Sequence, residues 1–172
     1  MSGEIHEDHP FRTPEELRDP VRQFRGRLAA PVTIVTAGTA ETPAGLTVSS
    51  LMVAEGDPAR LYVLVGPTTD LYEAIMDTGR FVVHVLRGDD RRWSDVFAGL
   101  RPSPGGVFSG LDVSETAWGP TITSIGDRAF CTLNHFEEES FVAILTSTVD
   151  DVTVADLADP LVYFRGGYRG LD

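Results

Sequence analysis

Residues 61–86 read Leu61-Tyr62-Val63-Leu64-Val65-Gly66-Pro67-Thr68-Thr69-Asp70-Leu71-Tyr72-Glu73-Ala74-Ile75-Met76-Asp77-Thr78-Gly79-Arg80-Phe81-Val82-Val83-His84-Val85-Leu86. Two strand-length apolar runs, 61–65 and 81–86, enclose one short helix. Gly66-Pro67 breaks the first run. Asp70 is suited to cap the helix, Leu71, Ala74 and Ile75 share its inner face, and Gly79 stops it. A helix this short between two strands does not by itself make an alternating α/β chain.

The same punctuation continues on both sides. Val32-Thr33-Ile34-Val35-Thr36 is β-branched throughout and reads as a strand. Residues 38–45 hold Pro43 and polar side chains, so they form a hairpin loop, and a second strand follows over 46–54. Residues 111–134 give one or two strands around Ile122 and Phe130-Cys131-Thr132-Leu133. Further strands cover 141–149 and 161–164, with a turn or short helix over 150–160. Helical spacing places Val21, Phe24 and Leu28 on one face ahead of Pro31. A helix start at Thr13-Pro14-Glu15-Glu16 is repeated at Asp19-Pro20. Residues 89–97 are helical, with Trp93, Val96 and Phe97 on the apolar side, and 99–110 form an irregular loop. About seven short strands with few helices make a mainly β barrel or sandwich. A doubly wound parallel sheet does not fit.

A chain of 172 residues, 42% of them hydrophobic, makes one domain with a real core. Residues 1–12 form a loose tail and 13–172 the domain. The tail has neither a basic start nor an apolar run, so it is not read as a signal peptide, and a cytoplasmic location is the expectation. No apolar run approaches the roughly 20 residues that cross a bilayer. The net charge of −12 repels phosphate backbones and anionic lipid, which disfavours nucleic acid and membrane as partners. A phosphate site in such a chain must be built locally, from backbone N–H groups, hydroxyls and a few arginines. Cys131 is the only cysteine, which excludes an intrachain disulfide, and its apolar strand makes it an inert buried thiol. The four histidines, 6, 9, 84 and 135, are too scattered for a metal triad. No P-loop, dinucleotide fingerprint, nucleophile elbow or zinc-protease motif is present.

Five segments, in order, carry a resemblance. They are Phe24-Arg25-Gly26-Arg27-Leu28 with the strand at 32–36, Gly45-Leu46-Thr47-Val48-Ser49-Ser50, Leu71-Tyr72-Glu73-Ala74-Ile75 with 79–86, Phe97-Ala98-Gly99, and residues 160–168. Together they resemble the flavin-reductase-like FMN-binding split barrels, the small reductase components of two-component monooxygenases. The resemblance implies a Greek-key split β-barrel of six or seven antiparallel strands with a few short flanking helices. It also implies a homodimer, bound FMN (or FAD), NADH or NADPH as co-substrate, and a partner oxygenase. Carried over, Thr47, Val48, Ser49 and Ser50 contact the flavin. Gly66, Pro67, Thr68 and Thr69 form the phosphate loop, and His84 takes an Asn position of the family. Hydroxyls at 49, 50, 68 and 69 suit a phosphate, and Gly66 permits close approach. Arg165 and Arg169 are read as solvated cations, with phosphate contact across a dimer as the other reading. No residue is assigned a catalytic role, and no metal is expected.

The chain departs from the family twice. Pro67-Thr68-Thr69 stands where the family often has Arg-Ser-Ser, which removes one charge-assisted contact. Glu138-Glu139-Ser140 stands where reductases commonly have Gly-Asp-His, with His135 out of place. Glu137, Glu138 and Glu139 would repel a dinucleotide's pyrophosphate. Three readings follow: an NAD(P)H-dependent flavin reductase, a non-enzymatic flavin-binding or electron-transfer protein, and a split barrel kept for protein interaction.

Overall fold

The computed structural model describes residues 19–156 and 159–171. The expected capping box at Thr13 lies outside them. The chain runs through α1 (Pro20–Arg25), β1 (Ala30–Pro31), β2 (Thr33–Gly38), β3 (Pro43–Val48), β4 (Leu51–Ala54), β5 (Arg60–Val65) and α2 (Asp70–Thr78). It continues through β6 (Arg80–Val85), α3 (Arg91–Phe97), β7 (Val113–Thr116), β8 (Gly119–Ile122), β9 (Arg128–Glu139), β10 (Val142–Thr153), β11 (Val162–Phe164) and β12 (Gly167–Arg169).

Seven strands form one antiparallel sheet in the order β3-β2-β6-β9-β10-β5-β4. The two edge strands, β3 and β4, are consecutive in the chain. Only Ser49 and Ser50 separate Val48 from Leu51, a span of at most about 11 Å. The sheet must therefore curl until its two edges meet at this corner. The expected single strand over 46–54 is two strands, each on a different edge, joined at a seam. Counting β3 and β4 as one bent strand gives six around the barrel.

Strand alternation sorts side chains to the two sides of the wall. Val35, Val48, Leu61, Val63, Phe81, Val83, Ala143 and Leu145 pack inside with Leu71, Tyr72 and Ile75 of α2. Ile34, Leu86, Val96, Phe97, Ile122, Ile125 and Leu161 pack in a second cluster with Val32 against the outer face. Both faces of β2 are thus covered, and every residue from Thr33 to Gly38 is buried. Gly45 makes this possible: a Cβ there would lie 2.5 Å from Phe97 Cε1 and 3.2 Å from Phe108 Cζ.

Three other readings need correction. The α1 cap is Asp19, which accepts from Val21 N–H, but the helix ends at Arg25. Its face of Val21, Phe24 and Leu28 is exposed, not packed inward. The helix over 89–97 begins as a 3-10 turn, Gly88–Asp90, and only Arg91–Phe97 is α. Most consequentially, β9 runs to Glu139 and turns at Ser140 and Phe141 into β10. Glu137, Glu138 and Glu139, which lie outside the strands expected over 111–134 and 141–149, are strand residues paired with Ile144, Ala143 and Val142. β10 continues through Thr153, where a turn was expected.

Candidate functional site

The seam collects the sequence candidates. Leu64 N–H donates to Ser50 O at 2.9 Å, which extends the β4–β5 ladder by one rung past Leu51 opposite Val63. Ser49 therefore lies alongside Val65 and Gly66. The 45–50 segment and the 66–69 loop are neighbours in space, although about twenty residues separate them.

The hydroxyls at this corner are not equivalent. Thr69 is the N-cap of α2: its Oγ1 accepts from Tyr72 N–H at 3.2 Å and donates to Gly66 O at 2.8 Å. Its hydroxyl is spent on folding the loop, and the cap is Thr69, not Asp70. Thr47 Oγ1 donates to Ser94 O at 2.7 Å, which fixes β3 to α3. Val48 is buried in the inner core, and Thr33 Oγ1 donates to its carbonyl at 2.6 Å. Ser49 and Thr68 make no side-chain hydrogen bond among the described residues, and Thr68 is exposed. Ser50 Oγ accepts from Arg25 Nη2 at 3.4 Å. Pro67 is half-buried beside Gly66 in the loop. The corner thus presents three hydroxyls, one guanidinium and a glycine-containing loop at the start of a nine-residue helix. That donor set fits a phosphate.

Arg25 has no local sequence signal for this role. It is simply the last residue of a short helix, and only the fold carries it to Ser50. Its guanidinium places a positive charge at the seam, beside Ser50.

His84 does not join this corner. It is fully buried. Ile122 N–H donates to its Nε2 at 3.0 Å, so Nδ1 carries the proton and donates to Ile34 O at 3.0 Å. The ring clamps β6 to β2 and β8. Burial, aided by Arg128, pushes its pKa down to about 4 despite the bond to Ile34 O. With both nitrogens engaged, the side chain has no polar group left for a flavin.

The rear of the seam is braced by α3. Tyr168 of β12 donates to Asp95 Oδ1 at 2.7 Å and lies 2.9 Å from Ser94 Oγ. Burial, together with the Asp95 carboxylate, raises the phenol to about 12, so it stays protonated. Arg91 sits 4.9 Å over the Tyr168 ring. Sequence reading left this brace unassigned, because its parts lie over seventy residues apart.

On the other side of α2, Tyr72 OH donates to Glu138 Oε1. One of the three acidic residues is thereby tied to α2. Glu137 lies 3.6 Å from His135. Trp118 Nε1 donates to Asp150 Oδ2 at 2.7 Å and its ring packs on Phe130, which makes it a structural anchor. Among the described residues no cluster of three metal-ligating side chains occurs, and no helix is long and apolar enough to cross a membrane.

Comparison with known proteins agrees with this architecture. The family model "Flavin reductase like domain" matches residues 25–172. An NADH-dependent FMN reductase, AsuE2, of Streptomyces nodosus subsp. asukaensis is 31% identical over 163 residues, covering 93% of this chain and 88% of that one. The reductase component of a 4-hydroxyphenylacetate 3-monooxygenase of Thermus thermophilus is 26% identical over 155 residues, covering 90% and 97%. The solved structure of the flavin reductase PheA2 superimposes with a TM-score of 0.80 at 22% identity, covering 93% and 99%, which speaks for the fold.

Proposed function

We propose, from the premise that this chain belongs to the flavin reductase-like family, that it is an NAD(P)H-dependent flavin reductase of the cytoplasm. Its reduced flavin serves a partner oxygenase. The observation that carries the reading is the seam: the Leu64–Ser50 backbone bond sets the 45–50 segment beside the 66–69 loop, Arg25 reaches Ser50, and Ser49 and Thr68 make no side-chain hydrogen bond among the described residues. The relatives' names support NADH and FMN as the substrate pair, and a monooxygenase as the consumer.

Bound FMN supplies the redox chemistry, hydride acceptance from a reduced nicotinamide. The protein's part is binding and orientation. Ser49, Ser50, Thr68 and Arg25 hold the phosphate. The backbone of Thr47, Val48, Ser49 and Ser50 presents N–H and C=O groups to the polar edge of the ring. Thr69 shapes the loop of Gly66 and Pro67, and Thr47 and Ser94 hold β3 in place. A homodimer is part of the proposal. It is supported by the uncovered apolar side chains of α1 (Val21 and Phe24), of Leu28 in the turn after it, and of edge strand β4 (Met52 and Val53).

The test is direct. Purified protein should bind FMN and catalyse its reduction by NADH, and light scattering should give twice the chain mass. Replacing Ser49 and Ser50 together with Ala should weaken FMN about 10- to 100-fold, at about 1 kcal/mol or more per lost hydrogen bond. Unchanged affinity removes the seam as the phosphate site. Flavin binding without NADH-driven bleaching leaves the non-enzymatic flavoprotein reading instead.

A further inference from the structure

All fourteen basic residues of this chain are arginines, against 26 acidic residues. Four of them, Arg22, Arg25, Arg27 and Arg165, are brought to one corner by α1, the turn after it and the β11–β12 turn. The two turns are tied together: Arg165 N–H donates to Gly26 O at 2.7 Å. Among the described residues none of the four has a carboxylate within 4 Å; the ion pairs found are Arg87 with Asp127 and His135 with Glu137. In a chain with a net charge of −12, cations gathered without a counter-ion repel one another and attract an anion.

The corner is also concave. Arg27, Phe164 and Arg165 line an open cleft of about 250 Å³. Arg165 holds a left-handed backbone with φ 50, followed by Gly166 at φ 81, in a two-residue hairpin turn. That position favours Asn, Asp or Gly, so a long cationic side chain stands there at a conformational cost. Neither Arg27 nor Arg165 makes a side-chain hydrogen bond among the described residues, whereas Arg25, two residues before Arg27, reaches Ser50 at the seam.

Resting on the flavin reading above, we infer that the Arg27–Phe164–Arg165 cleft is a subsite for the adenosine-phosphate end of a dinucleotide, next to the flavin phosphate held at Arg25 and Ser50. The spacing suits it. The Cα atoms of Arg25 and Arg27 lie within about 7.6 Å of each other, so their flexible side chains can grip adjacent phosphates. Guanidinium forks pair with phosphate oxygens bidentately. Phe164 offers a flat face on which an adenine stacks, as bases do on aromatic side chains. Two dinucleotides carry this end, FAD and NADH, and FMN lacks it. Of the acidic run on the β9–β10 hairpin, Glu138 accepts from Tyr72 OH and Glu137 lies 3.6 Å from His135.

The experiment compares the wild type with Arg27→Gln/Arg165→Gln, and with Arg92→Gln/Arg101→Gln as a control that removes the same charge elsewhere. FMN and FAD affinities are read by quenching of flavin fluorescence, and NADH KM at saturating FMN. FMN affinity should stay within about twofold in both variants. In the first variant alone, FAD affinity should fall about tenfold or more if the subsite serves FAD. If it serves NADH, the NADH KM should rise by that factor with kcat unchanged. Equal losses for FMN and FAD, or no change for FAD and NADH, overturn the subsite while leaving the flavin reading intact. Wild-type protein that binds no flavin overturns that reading, and the subsite with it.

Discussion

His84 gives the most quantitative prediction. Its ring is neutral in the folded protein because it is buried and its Nε2 lone pair is taken by Ile122 N–H. The folded pKa is about 4, against an ordinary value of 6.5. The folded value is the lower one, so between pH 6.5 and 4 the unfolded chain binds more protons. Stability conferred by this residue is complete above pH 6.5 and is lost as the pH falls through the window. Integration from pH 8 to pH 5 gives a loss of about 2 kcal/mol from this one side chain. The perturbation is His84→Asn. The Asn amide can stand where Nδ1 does and donate to Ile34 O, and it does not titrate. Urea unfolding of both proteins at pH 8 and pH 5 separates the terms. The carboxylates contribute equally to both, and the difference of differences isolates His84. With an m-value of about 2 kcal/mol per M, the wild-type midpoint should fall about 1 M further than that of the variant. Midpoints that fall in parallel would refute the buried, doubly bonded imidazole.

Two further predictions follow from packing and burial. Gly45→Ala should cost about 1–3 kcal/mol in denaturant unfolding, because its Cβ would overlap the buried Phe97 ring. Adding Phe97→Leu should recover part of that loss, and strictly additive costs would show that the two sites do not touch. The Cys131 thiol, buried and pushed up to about 12, should resist a thiol-specific reagent at pH 8 until the chain unfolds. Rapid stoichiometric labelling of native protein would contradict its place in the inner core.

What the sequence reveals and what it hides divide along the range of the interactions. The runs at 32–36, 61–65 and 81–86 are strands, because β-branched and apolar residues bounded by Gly and Pro declare themselves locally. Gly79 ends α2 in the left-handed conformation its position suggested. The seam was invisible. Residues 46–54 have no Gly or Pro after Gly45, and the strand breaks at Ser49 and Ser50 only because a curled sheet must bring its edges together. The acidic run misled for a related reason. Residues 135–140 carry no local strand signal, yet the two-residue turn at Ser140 and Phe141 puts the three glutamates in register with Val142, Ala143 and Ile144. At the site, residue types were legible and their availability was not. Thr47 and His84 are claimed by partners 47 and 50 residues away. Thr69 is claimed by its own helix cap. Ser49 and Thr68 carry the same chemistry and remain open.

The seam has one more consequence, for how the barrel fails. Most strand neighbours in this barrel are held by rows of backbone hydrogen bonds, but no such row joins β3 to β4, which share only the covalent chain and the inner core. Cleavage of a single peptide bond between Val48 and Leu51 would leave every strand pair formed and yet release both edges at once. The product would be an open sheet with two unpaired borders, one of them displaying Met52 and Val53. Unpaired apolar borders template association with other chains. A nick at this corner should therefore appear as aggregation of a chain whose strands are still paired.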